Sequence, residues 1–149
     1  MKRWAPMAAV VAALFVVNLA GRVVTRLFLD DDDLSGQTMV GVIGAIAMGV
    51  VALLAGIRWS ATGPVQRTVA QLGSALLVAT VLCVLPAPLV VGGNPFGGGV
   101  GLVFAELFMF AVITIGAALL GMLITMALGI DHRSRQLKRV EHHYGRGRR

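Results

Sequence analysis

Thirty residues from Gly101 to Ile130, GLVFAELFMFAVITIGAALLGMLITMALGI, contain one formal charge, Glu106. A helix on the surface of a soluble protein places a polar residue every three or four positions. Here those positions hold Phe, Met, Leu, Ile and Ala, so the helix is apolar all round and belongs in a bilayer. A hydrocarbon core of about 30 Å takes about 20 helical residues, and the excess is taken up by tilt or by protrusion at one end. Glu106 lies near the start of the segment. A carboxyl there costs roughly 2 to 4 kcal/mol if left alone, so it needs a partner or a proton.

Composition extends this to the whole chain. With 57% hydrophobic and 13% charged residues, it lies far outside the soluble globular range. The expected fold class is all-α, a polytopic integral membrane protein whose four transmembrane helices form one bundle. Arg outnumbers Lys 11 to 2, and Ala, Gly and Val are abundant, as a GC-rich bacterial genome tends to encode. Cys83 is the single cysteine, which excludes an intramolecular disulfide and argues against a thiol redox centre or a structural zinc site. Four-helix thiol oxidoreductases are excluded on the same ground.

Helices are expected over about 5-27, 38-57, 68-85 and 101-130, giving a membrane domain over 1-130 and a basic tail over 131-149. The first segment reads as a retained helix and not a signal peptide, because cutting after Ala20 would put Asn18 in the third-last position, where a small residue is required. Asn18, Arg22 and Arg26 are spaced by four and share one face with a drift of about 40° per step. They form either a snorkelling pair of arginines at the surface or a polar seam facing the bundle. Asp30 to Asp33 end the segment. Their consecutive spacing does not suit calcium, whose ligands alternate around a turn, and they favour the start of a second helix with Ser35 as its N-cap.

In the second helix Ala45, Gly49, Ala52 and Gly56 recur at spacings of four, three and four, a stripe that lets another backbone approach closely. Arg58 to Ser60 and Thr62 to Pro64 read as a short basic loop. Gln71, Ser74 and Thr80 in the third helix can bond across helices or to their own backbone and do not suggest a proton path. Pro86 and Pro88 end or kink that helix. The glycine cluster from Gly92 to Gly99 lacks the lysine and strand of a phosphate-binding loop and reads as a linker. The fourth helix carries a second small-residue series, Ala117, Gly121, Thr125 and Gly129.

Beyond Ile130, seven basic residues stand against two acids. Beside a membrane helix such a tail holds the anionic leaflet at about 1 kcal/mol per Lys or Arg, with Arg133, Arg135, Lys138 and Arg139 as the nearest contacts. Leu137, Val140 and Tyr144 are spaced for a short amphipathic helix on that surface. One aromatic gives no stacking platform, so nucleic acid is not a favoured partner. His132, His142 and His143 all lie in the tail, away from any haem or metal position on a helix, and no cofactor or metal is expected. If both termini are cytoplasmic, 11 of the 13 basic residues fall on that side, the bias of the positive-inside rule in a plasma membrane.

Two functions follow as expectations. The first is a small non-enzymatic accessory or assembly subunit, packing against itself as a homo-oligomer or against a larger membrane complex. The second is a proton- or cation-coupled transporter using Glu106, with a lipid-linked enzyme as a lesser third. Four-helix multidrug carriers resemble this chain in size and helix number, but they place their essential glutamate in the first helix, where this chain has Asn18. An ion pair of Glu106 with Arg22, or failing that Arg26, across packed first and fourth helices is the sharpest structural expectation.

Overall fold

A computed structural model describes residues 4–29 and 32–137. Lys2, Arg3, Asp30 and Asp31, and the tail from Lys138 and Arg139 through Val140, His142, His143 and Tyr144 to Arg149, lie outside the described residues. Among those described, all regular structure is helical. The elements are α1 (Ala5–Phe28), α2 (Leu34–Thr62), α3 (Val65–Val84), α4 (Pro86–Val90) and α5 (Val100–Ala127). Four spans, α1, α2, α3 continued by α4, and α5 with the residues after it, are long and apolar enough to cross a membrane. The inside combines small residues, Ala52, Ala75, Ala79 and Ala118, with larger ones such as Leu14, Met48, Leu72, Leu76 and Phe110, while Phe104 and Phe108 face outward.

The helix ends differ from those read by hydropathy, for one reason: apolar character marks hydrocarbon, whereas helical hydrogen bonding runs on until something stops it. α2 starts at Leu34, not at Thr38, because Asp33 is its N-cap and accepts from the Gly36 N–H at 2.9 Å. Ser35 therefore sits inside the first turn. At its other end α2 continues through Arg58, Trp59 and Ser60 to Thr62, so these are helical residues and not a loop. Only Gly63 and Pro64 separate α2 from α3, and the Thr68 hydroxyl closes the hairpin by donating to the Trp59 carbonyl at 3.2 Å. Pro86 stops α3 and then opens α4 at a first-turn position where no N–H is needed. α5 ends at Ala127 because Gly129 takes φ +62°. Its N–H and that of Ile130 turn back to the carbonyls of Met126 and Thr125, a Schellman closure. Gly129 is thus a terminator and does not extend the small-residue series.

Around the bundle α1 packs on α2 and α3, and α5 packs on the same two helices. α1 and α5 face each other across the diagonal with no broad interface, so the expected packed seam between the first and fourth spans is absent. The dominant contact is α2 with α5. A Cβ added at Gly56 would stand 2.2 Å from the Ala118 carbonyl oxygen, and one at Gly121 2.3 Å from that of Leu53; the two backbones touch. Ala52 is fully buried in the same contact zone, and Ala118, not Ala117, is the fully buried alanine on the α5 side. Towards the other end the helices part. At Gly49 an added Cβ would be 3.9 Å from Ile113 and 4.0 Å from Ala117, and at Gly44 it would meet nothing within 4 Å.

Gly56→Ala should therefore destabilise the protein, since backbone cannot yield as a side chain can, by at least the roughly 1 to 3 kcal/mol of an overpacked core. Gly44→Ala should leave the melting temperature in detergent unchanged or slightly raised. Equal melting of the two variants would refute the close contact.

A charged cleft as the candidate functional site

The parting of α2 and α5 leaves a cleft of about 910 Å³ between α1, α2 and α5, roofed by residues of α4 and the glycine turn. It lies at the end of the bundle that carries Asp33 and the glycine turn, opposite Trp4 and Trp59. The lining mixes polar residues, Asn18, Arg22, Arg26, Gln37 and Asn94, with Glu106 and with apolar Met48, Met109, Phe110 and Ile113. Ala45 also lines it, along with Gly41 and Gly44; Ala45 is therefore part of the cleft wall and not of the close helix contact.

Depth brings the charges together. Arg22 is six residues from the end of α1 and Glu106 six from the start of α5, and each step along a helix rises 1.5 Å, so both sit about 9 Å in from the same end. Arg22 Nη2 lies 2.6 Å from Glu106 Oε1. The guanidinium reaches this position across the bundle because its stem starts from the inward face of α1. Two neutral groups hold it there: Nε donates to Asn18 Oδ1 at 3.1 Å, and Nη2 also reaches the Cys83 carbonyl of α3 at 3.3 Å. The i, i+4 spacing of Asn18 and Arg22 thus works as an orienting pair. Arg26, one turn further on, does not reach Glu106 and donates to the Val91 carbonyl at the end of α4. Among the described residues it has no carboxylate partner.

At the opposite end of the bundle α2 and α5 are joined. Thr125 of α5 donates to Ser60 of α2 at 2.8 Å, both fully buried. A short basic loop over 58–60 hides Ser60 from the sequence; the signal that marks it is a hydroxyl on the same helical face as Gly56. Arg133 and Arg135 are exposed on a short helix over 132–137, capped by Asp131, whose Oδ2 accepts from the Arg133 and Ser134 N–H groups. They follow the end of α5 that lies away from the cleft-lining residues Glu106 to Ile113. Among the described residues no group of three or more potential metal ligands occurs.

Compared with models of protein families, with curated proteins and with solved structures, the chain matches none.

The side chains of Arg22 and Glu106 are 24% and 29% exposed, between a surface pair worth about 0 to 1 kcal/mol and a fully buried one whose disruption costs about 3 to 5. A double-mutant cycle of Arg22→Gln and Glu106→Gln, read by melting in detergent, should give a coupling of about 1 to 3 kcal/mol. The same cycle with Arg26→Gln should be additive. Additivity in the first cycle would remove the pair from any account of this site.

Proposed function

We propose that this chain is a small, non-enzymatic integral membrane protein that works by holding a ligand in the cleft, as the binding subunit of a membrane assembly. The observation that carries this is the cleft of about 910 Å³ with an ion pair in its wall. Its size is that of a pocket for a molecule of drug-like dimensions, and its lining sets polar side chains such as Asn18, Arg22 and Glu106 among apolar ones such as Met48, Phe110 and Ile113. The closest small-residue contacts, at Gly56 and Gly121, are consumed between α2 and α5 of the same chain, so an assembly role rests on the cleft and not on those contacts. We further propose a bacterial plasma membrane with both termini cytoplasmic, supported by the distribution of basic residues along the sequence, and a tail that contacts anionic lipid headgroups.

Transport is the second reading, and Glu106 favours it. A carboxylate inside an apolar helix, beside a cleft and bound to one arginine, is a place where a proton or cation would release Arg22 and alter the wall. Under this reading stability in detergent shifts with pH or with organic cations, and the protein purifies as a lone homo-oligomer.

Mass measurement on protein purified in mild detergent separates these outcomes. A small molecule retained by the wild type and lost from Gly44→Leu, which fills open space in the cleft, is expected for a binding subunit. Identical mass profiles for both would sink ligand binding. For topology, reporters fused at Ser35 and Gly98 should respond as external and one at Gly63 as cytoplasmic; an external signal at Gly63 would reverse the orientation.

A further inference from the structure

The cleft runs deep and stays polar for much of its depth. Asn18 stands ten residues from the end of α1, and Met48 is the middle residue of α2, fourteen from either end. At 1.5 Å per residue they lie about 15 and 21 Å in from the helix ends. Since both line the cleft, it reaches from the end that carries Asp33 to the middle of the bundle. At the mouth, Arg26 and Asn94 line it and are also exposed, which joins its surface to the outside. At the far end Met48 and Phe110 are buried, and a Cβ added at Gly49 would already touch Ile113 and Ala117. The floor is apolar, and the walls above it are not.

Hydrocarbon from the bilayer or water from the mouth can fill such a space, and the ion pair decides between them. Arg22 and Glu106 are partly exposed and both line the cleft, so the surface they leave uncovered faces it. The bond between them engages Oε1 of the carboxylate. Hydrocarbon would leave the remaining polar surface unsolvated, whereas water satisfies it; ionisable groups within spans face the bundle interior or a water-filled cavity for this reason. Asn18, Gln37 and Asn94 add amides from α1, α2 and the glycine turn. A volume of about 910 Å³ far exceeds the roughly 15 Å³ that one water needs. No sign of charge has to prevail, since the acidic run Asp30 to Asp33 follows Arg26 in the chain and a mouth with both signs nearby is hydrated either way.

We propose that the cleft is an aqueous vestibule: water fills it from the end that carries Asp33 and the glycine turn down to the floor at Met48, and a small water-soluble solute reaches Glu106 and Arg22 by that route. This deepens the ligand-binding function above and rests on it for the solute, because the ligand then arrives from water and not from the lipid. The roof fits the same reading. Irregular backbone such as that of Gly93 and Asn94, which lines the cleft, is tolerated near hydrocarbon where it lines a water-filled space.

The test is thiol labelling of the full chain in sealed membrane vesicles of both orientations, with membrane-impermeant methanethiosulfonates, one bearing a quaternary ammonium and one a sulfonate. Cys83 is buried, so the wild type sets the baseline. Gly44→Cys places a thiol in open space of the cleft, whereas Ile46→Cys, two residues on, places one on the exposed apolar face of α2. Gly44→Cys should react at least about tenfold faster than Ile46→Cys with the faster reagent, because a charged group is excluded from hydrocarbon. Ala45→Cys, also in the cleft wall, should behave like Gly44→Cys and serves if that variant does not fold. Both should react in the vesicle orientation that labels Ser35→Cys, a comparison that holds whichever way the chain is threaded. Rates for the cleft positions no faster than for Ile46→Cys, or labelling only in the orientation that leaves Ser35→Cys unlabelled, would overturn the proposal. Fast labelling together with identical mass profiles for the wild type and Gly44→Leu would keep the vestibule and remove the retained ligand. A retained ligand with slow labelling of both cleft variants would keep the ligand and overturn the vestibule.

Discussion

Two backbones in contact at one end and apart at the other determine most of this molecule. Where Gly56 meets the Ala118 carbonyl and Gly121 meets that of Leu53, α2 and α5 come as close as helices can. In a bilayer, where apolar surface gains little by leaving lipid for protein, such dense packing is a main source of cohesion between helices. The buried bond between Ser60 and Thr125 fixes the same end. Rigid rods pinned at one end diverge at the other unless side chains close the angle, and Gly41 and Gly44 on α2 do not close it. The cleft is therefore the geometric counterpart of the contact.

The ion pair completes the arrangement from the diagonal. α1 has Leu14 as its one fully buried residue, so packing alone holds it loosely. Arg22 ties it to α5 through Glu106 and to α3 through the Cys83 carbonyl. Long, strongly basic side chains can span a diagonal that shorter ones cannot. A charge that would be unfavourable alone in an apolar helix serves here as a cross-brace and lends the cleft its polar back wall.

Much of this was legible in the sequence, and the failures have physical causes. Four long apolar helices follow directly from hydropathy. The meeting of Arg22 and Glu106 follows from depth, because antiparallel helices of similar length bring equal distances from their ends to one level. Which helices are neighbours does not follow, since hydropathy carries no information on order around the bundle, and α1 and α5 proved diagonal. The stripe through Ala52 and Gly56 was visible as spacing, but its partner face on α5 is centred on Ala118 and Gly121. Gly121 and Thr125, both in the expected series, do face α2, whereas Ala118 escaped it because it stands three residues before Gly121 and not four. The cleft itself could not be read, because it arises from the angle between two helices and not from any residue type.

The partner of Arg22 lies 84 residues further along the chain, which has a consequence for the protein's birth. At a synthesis rate of about 5 to 20 residues per second, the ribosome needs roughly 4 to 17 s to deliver Glu106 after Arg22. Throughout that interval α1 carries an arginine near the membrane without its carboxylate, and α2 lacks the helix against which Gly56 will close. The nascent bundle is thus held unfinished until its last helix arrives, and a chain truncated before α5 would present the cell with an unneutralised guanidinium in an apolar helix.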